Sequence, residues 1–597
     1  MNNRAKQSLY LKAGVALAAL VAGANGAAAQ VAVTQGTTGT PILNAGAVTG
    51  TFGDSVTSVG GITGTLATAS VGTTGVVASV GVLGNGTTFG GSNFVLPSTG
   101  IGGIGQVVSN TGAITTPGGT VNVGAAGASN MSGLGASALV SGTGAVASVG
   151  VTGIDTAAGT NTVGSVILQS STNSIGAVAN TGTGTVNVNA LTGRATSASV
   201  SASGAVSSVS ATAANASGAT TVGSSSIGQS STNSSAITNT GTIASLAGGL
   251  SGDGASASVT ASGATSSVSS TQLLTTGITG TPSSVTFGAI GASGVGNAQQ
   301  ATNSAAITNN GTISAAGGHL TGNGTSAGIS ATGAGVSVSS NSNGNVTGVA
   351  GNAVSTSTGP IYQNAANITG GTVVNNGTAF TVGSLGTSSA NGAAASASVS
   401  ATGAAASVSS TAIGTTAASD SFGAIDQTVS NVAAVTNNNA ANGLGTVTVA
   451  GILGSSASAS LNATGAVAST SITSISNVTA GTYTTGALTQ SVTNSTGAIT
   501  NNGGTLAITG DISGRNASAS IGATGAASSF SLASIADTAS IGGAGAVLGN
   551  ITQATNNASA ITNAGKITVG GGISGSGAAA SVSALGAGST ASFRSIR

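Results

Sequence analysis

Asp420 and Asp426 stand closer together than any other two carboxylates in the chain. Their even separation can put both on one face of a β-strand. Two carboxylates flanking a bond are the apparatus of glycoside hydrolysis, one as acid and the other as base or nucleophile. The competing reading is two solvated turn or strand residues. The remaining acids favour it: Asp54, Asp155, Asp253, Asp511 and Asp537 are scattered at one per repeat or fewer, and Glu is absent. The single histidine, His319, lies in Ala315-Ala-Gly-Gly-His319-Leu-Thr-Gly322 with no Asp near it in sequence and no Cys anywhere. A zinc site needs three or four N, S or O ligands, so His319 reads as a solvent-facing loop residue. Leu96-Pro-Ser-Thr-Gly100 matches a sortase signal in letters only, and reads as a loop begun by Pro97. No Gly-rich run continues into the Gly-Lys-Ser/Thr of a phosphate loop, and calcium-binding nonapeptides are absent. Asn-x-Ser/Thr sequons are numerous, as Asn/Thr-rich composition requires. These residues predict a protein that is not an enzyme and has no cofactor and no metal.

The residues that do recur with chemical meaning are amides. A Gln-x3-Asn motif appears as Gln106/Asn110, Gln169/Asn173, Gln229/Asn233, Gln299/Asn303, Gln363/Asn367, Gln427/Asn431, Gln490/Asn494 and Gln553/Asn557. It usually continues into Ala-Ile or Ala-Val, a further Asn, and a Gly-Thr-Ile-like end. Gln229, Asn233, Ser235, Ile237 and Asn239 share strand parity, as do the copies from Gln299 and Gln553. If equivalent repeats stack, amides at one position can hydrogen-bond along the axis and satisfy groups that would be costly to bury alone. The rival reading makes the Asn residues turn formers. Parity slips by one in the copies at 169 and 490, which weakens the stacking there.

A second motif keeps the same period out of phase. A Ser/Ala alternation is broken by a small-residue step whose glycines are Gly75, Gly144, Gly204, Gly263, Gly333, Gly403, Gly465, Gly525 and Gly586. Both motifs recur about every 64 residues, so the chain is an array of eight to nine units. Around Thr402-Gly403 the apolar positions are 395, 397, 399 and 401, then 404, 406 and 408. Strict alternation means strands. Thr-Gly suits a turn with positive φ at Gly, either a hairpin that sets Ala401 against Ala404 or a bend between successive strands of a coil.

The expected fold is therefore all-β: an elongated, repetitive β-solenoid of about eight to nine units, with a stacked β-hairpin array as the alternative. Splitting each unit into about three turns of roughly 21 residues would give roughly 27 coils and a rod on the order of 130 Å at ~4.8 Å per strand.

Composition sets the compartment. Of 597 residues 102 are Gly, 3% are charged and 2% aromatic, and Cys and Trp are absent. Arg4, Lys6 and Lys12 precede the apolar run from Ala13 to Ala24, and Ala27-Ala28-Ala29 supplies a small-residue cleavage pattern. That is a secretory signal peptide, with a retained N-terminal anchor as the other reading. The domains are then a signal peptide over 1–29 and a continuous β-repeat region over 30–597, with 30–65 as cap or lead-in and 66–597 as repeats. Without the leader, Arg194, Arg515, Lys566, Arg594 and Arg597 face seven Asp, a net charge of −2. So few cations cannot neutralise a row of phosphates, which excludes nucleic acid as a partner. Stability must come from packing and backbone pairing, since no disulfide can form.

Ala306-Ile-Thr-Asn-Asn-Gly-Thr-Ile313 and Ala236-Ile-Thr-Asn-Thr-Gly-Thr-Ile243 resemble the repeats of bacterial β-strand repeat surface proteins. These include the β-helical passenger regions of autotransporter and filamentous-haemagglutinin-like adhesins. The Gln/Asn periodicity is also similar to that of curli-like functional amyloids, at a different spacing. The resemblance implies a secreted protein at the cell surface or in the matrix and biofilm, with an adhesive or structural role. The repeats run to Gly586 without the amphipathic strands of a membrane barrel. The expected partners are therefore separate export machinery or an outer-membrane anchor, self-association, and a surface or polysaccharide ligand. A self-assembling amyloid-like fibre subunit and an ice- or polysaccharide-binding solenoid are the alternative functions.

Overall fold

The computed structural model describes strand segments between Gln30 and Ile596. Residues 1–29 and a set of short connecting segments, among them 96–103, 291–298 and 439–445, lie outside the described residues. The signal-peptide reading and Leu96-Pro-Ser-Thr-Gly100 fall there. Every described element is strand, turn or bend, and none is a helix.

One unit is well represented by residues 396–452. It comprises a long strand Ser396–Gly414, a short strand Ala418–Phe422, an amide strand Ile425–Asn431, a corner strand Val435–Asn438 and a return strand Thr446–Ile452. Each pairs in parallel with its counterparts one unit before and one unit after. The alternating Ser/Ala/Val composition explains the local choice: β-branched and small residues pack on a pleated surface, and interleaved Ser and Gly weaken the helical alternative.

Every unit is thus one coil, and the division into three turns is overturned. Nine long strands stack directly on one another, with Gln30–Thr34 antiparallel on the first of them. Nine strands at about 4.8 Å make a stack roughly 40 Å high, and a long strand of 18 or 19 residues is about 60 Å from end to end. The coil is wide because its two walls are long, not because many short turns are piled up. Residues 42–63 join the same parallel sheets: Asn44 pairs with Asn110, Val48 with Ile114, Val56 with Val121 and Ile62 with Met131.

The hairpin alternative is overturned as well. Ala401 does not face Ala404. Each stacks on its own counterparts, Ala401 on Ala331 and Ala463, Ala404 on Ala334 and Ala466. The chain runs straight through Gly403 as one strand, and then returns opposite it through the amide, corner and return strands. The result is two walls with a thin core between them. The first part of the long strand, with Ala397 and Val399, packs on Val447, Val449 and Ile452 of the return strand. Ala401 meets Val435 and its counterparts. Ala404 and Ala406 meet Val429, and Val408 meets Ile425. Mostly small residues on one wall face Val, Ile and Leu on the other, so the core closes with Phe530 as the one aromatic among its described buried residues.

Candidate functional site: amide ladders and a hydroxyl face

The amide strand places its Gln and both flanking apolar residues inward, in the pattern buried–half–buried along Ile425–Asn431. Gln427 and Asn431 are fully buried, as are or nearly are all their counterparts from Gln106 to Asn494. Stacking then does what the repeat spacing suggests. The Nε2 of Gln169, Gln229, Gln299, Gln363, Gln427, Gln490 and Gln553 each donates to the Oε1 of the preceding Gln, at 2.7–3.0 Å. The second Nε2 hydrogen crosses the core to a carbonyl of the long strand: Gln363 to Ser407 O at 3.0 Å, Gln427 to Ser469 O at 3.2 Å. Both protons of the amide are used, so burial leaves no orphan donor.

The Asn ladder runs the other way. Nδ2 of Asn110, Asn173, Asn233, Asn303, Asn367, Asn431 and Asn494 donates to Oδ1 of the next Asn, at 2.6–2.9 Å. Its second proton goes to a carbonyl two residues on, as from Asn233 to Ser235 O and from Asn431 to Ala433 O, both 2.8 Å. Gln dipoles therefore point up the stack and Asn dipoles down it, and their fields along the axis oppose one another. Chains of such bonds polarise each other in a low-dielectric interior, so opposed directions keep a long column from building a large dipole.

The turn glycines belong to this site. Positive φ among the described glycines is confined to Gly249, Gly254, Gly370, Gly514, Gly575 and Gly577, so the turn reading of Gly75 through Gly586 is overturned. These glycines lie inside the long strands. The strand register steps from Thr402↔Thr332 to Ala404↔Ala334 without using Gly403. Gly403 and Ala404 are both buried, which switches the inward parity from odd to even residues. What demands Gly is space. A Cβ on Gly403 would stand 2.2 Å from Asn431 Oδ1 and 2.6 Å from Gly465 O, and one on Gly204 would meet Asn233 Oδ1 and Gly263 O as closely. The same relation holds at Gly75, Gly144, Gly263, Gly333, Gly465 and Gly525 with the Asn of the same coil.

The parity slips at 169 and 490 do not break the ladder. Asn173 stacks on Asn233 and Asn180 on Asn239, with the extra residue taken up between them. After Gln490 the extra residue is absorbed at Gly497, where a Cβ would meet Ala433 O. The following Asn row is looser. Asn180–Asn239, Asn239–Asn309, Asn375–Asn437 and Asn501–Asn563 are bonded at 2.9–3.3 Å, while Asn180 Oδ1 and Asn375 Oδ1 have no partner. Sequence reading passed over the buried hydroxyls between the walls, Ser171–Ser207 at 2.9 Å and Ser231–Ser266 at 3.0 Å. Their only signal was Ser at an inward parity position.

The outward side of the long strands forms the second feature. Positions 396, 398, 400, 402, 407 and 409 carry Ser or Thr, and stacking repeats them coil after coil: Ser148, Ser208, Ser267, Ser337, Ser407, Ser469 and Ser529 make one column. No charged residue occupies an outward position of the long strands from Ser137 to Ser531. The opposite wall is uneven, with Tyr362, Asp426 and Thr489 stacked in one row.

The candidate catalytic pair is separated. Asp420 lies in the short strand and Asp426 in the amide strand, in different sheets, so they do not share a strand face. The corner at Gly423-Ala424 intervenes. Burial pushes the Asp426 carboxyl above the ordinary range. His319 is exposed, and its backbone carbonyl accepts from Leu250 N at 2.9 Å. Among the described residues no three His, Asp or other ligating side chains gather as a metal site, and no helix is long and apolar enough to cross a membrane. Comparison with protein-family models, with curated proteins and with solved structures gives no match to this chain.

Proposed function

We propose that this chain is a secreted, non-catalytic structural or adhesive repeat protein of a bacterial cell surface or extracellular matrix. The observation that carries the reading is the outward face of the long strands: a broad, uncharged field of Ser and Thr hydroxyls, repeated at the strand spacing and backed by a core with bonded amides. A single hydroxyl contact contributes little, about 1 kcal/mol. Many contacts on one rigid scaffold add through effective concentration, provided the ligand can engage several at once. An uncharged face suits a neutral, hydroxyl-rich surface, so a polysaccharide ligand is the binding reading it favours. Ice is the other periodic ligand with that chemistry. Export falls to the leader over 1–29 and to separate machinery or an outer-membrane anchor.

The test joins location to binding. Fractionation of an expressing bacterium should recover the protein outside the cytoplasm beginning at or near Gln30. Protein coated on a surface should retain neutral polysaccharide, and Ser267→Glu with Ser407→Glu should weaken that retention. Recovery only in the cytosol with residues 1–29 attached, or retention unaffected by the two substitutions, would overturn the reading.

A further inference from the structure

The coil of residues 551–596 differs in burial from the coil beneath it. The segment Ile551–Asn557 alternates half-buried and exposed, where Leu488–Asn494 one coil earlier alternates with fully buried residues. Ile573 and Val582 are 49% and 52% exposed, while their register partners Ile512 and Ile521 are at 0%. The outer edges of Ile551–Asn557, Ile561–Asn563, Lys566–Val569 and Ala579–Ile596 have no strand partner among the described residues. Gln553 donates to Gln490 and to Thr590 O and ends the Gln ladder. Edges of this length are a template for another strand unless they are covered. Lys566 faces outward and leaves the backbone edge open.

At the other end of the stack, the coil of residues 42–63 repeats the same rows. Following the strand register from coil to coil puts Asn44 in the row of Asn557, Val48 in that of Ile561, Val56 in that of Ile567 and Ile62 in that of Ile573. The two ends therefore carry matching residue types at matching register positions. Laid end to end, they would repeat the coil-to-coil contact of the amide, corner and return strands, while Gln30–Thr34, antiparallel on the first long strand, replaces the parallel partner on that wall.

We propose that the C-terminal coil of one copy receives the N-terminal coil of a second copy, edge to edge and in parallel register on the amide wall. The interface is heterologous, so it propagates into linear filaments one solenoid wide. This inference stands apart from the adhesive reading, since it concerns purified protein with no ligand present.

Sedimentation velocity and electron microscopy of the purified protein should show concentration-dependent linear assemblies. Ile573→Arg, in the row of Ile62, blocks the C-terminal edge, and Val56→Arg, or Ile62→Lys if that variant loses its β-type circular dichroism, blocks the N-terminal one. Each blocked variant alone should be monomeric. An equimolar mixture should give dimers and nothing longer, because one open end of each kind remains. Ser407→Arg on the hydroxyl face should leave assembly intact. Wild-type protein that stays monomeric would overturn the proposal. So would dimers of Val56→Arg alone, which would mean that two C-terminal edges pair. Filaments that persist in Ile573→Arg but vanish in Ser407→Arg would assign assembly to the hydroxyl faces instead.

Discussion

Gly403 and Asn431 occupy one space: the Asn431 carboxamide fills the volume in which a side chain on residue 403 would lie, 2.2 Å from where its Cβ would be. Two sequence motifs, read as unrelated but equally spaced, are the two sides of a single contact. The long strand gives up one Cβ per coil and one step of alternation, and the amide column gains a close-packed backing.

That contact predicts opposite outcomes for two glycines on the same long-strand array. Gly403→Ala forces a methyl into Asn431 and the Gly465 carbonyl and should cost about 1–3 kcal/mol, the usual range for overpacking. Gly335→Ala has only Thr332 and Thr265 methyls nearby, at 3.7 and 3.8 Å. It should be neutral or stabilise by about 0.4–1 kcal/mol through a less flexible unfolded chain. Denaturant midpoints separate the two. Equal effects would mean that strand glycine, and not the Asn contact, sets the requirement.

The Asn column makes a comparable positional prediction. Asn233 bonds Asn173, Asn303 and Ser235 O in a fully buried setting. Asn233→Leu leaves a donor on Asn173 and an acceptor on Asn303 unpaired, at about 1–3 kcal/mol for each buried orphan. Asn364, on the exposed side of its amide strand, should tolerate the same change within about 0.5 kcal/mol. Hydrogen exchange around residues 173 and 303 would show whether the loss spreads to both neighbouring coils, as a shared column requires.

Much of this was readable in advance because alternation and period are properties of single residues. Ala397, Val399 and Ala401 announced an inward face, and Gln427 and Asn431 announced their stacking. Which strand lies next to which was not readable. Parity at Ala401 and Ala404 is the same for a hairpin turn and for a strand that skips a step at Gly403, because both need a residue without Cβ. The number of coils per unit was hidden for a related reason: the corner and return strands are only two to seven residues long and carry no periodic signal of their own. Ile237-Thr238-Asn239 reads as the tail of a motif until Ile307-Thr308-Asn309 is seen lying on it. The slips after Gln169 and Gln490 misled because a one-residue insertion changes parity in sequence, whereas in space a corner absorbs it.

Asp426 carries a pH dependence of definite sign. Burial raises its carboxyl pKa in the folded state, so the folded chain binds this proton more tightly than the unfolded chain. Stability from this group is present in full below the unfolded Asp value of about 3.9 and is lost as pH rises through the higher folded value. Asp426→Asn should therefore be slightly more stable than wild type at pH 7, and the two curves should converge in acid. A variant less stable than wild type at neutral pH would show that the carboxylate is held by a favourable contact.

The strongest test of the Gln column is a change of one heavy atom. Gln427 receives Gln490 Nε2 at 2.7 Å and Thr470 Oγ1 at 3.2 Å, and gives its own protons to Gln363 Oε1 and Ser469 O. In Gln427→Glu an oxygen replaces Nε2 and faces two acceptors at hydrogen-bond distance, in a site with no solvent exposure. The carboxylate is therefore disfavoured, and its folded pKa must rise above the unfolded Glu value of about 4.3. Protonation restores one of the two donors. The variant should lose about 3–5 kcal/mol at pH 7, as expected for a buried charge without its partner, and recover part of it as pH falls through the raised folded value. Thermal midpoints between pH 4 and 8 measure this directly. Gln553→Glu, at the half-exposed end of the same column, should show a smaller loss and a weaker slope, because water can reach its carboxylate. Matching curves for the two variants would mean that water reaches the whole column, and the dry ladder would have to be abandoned.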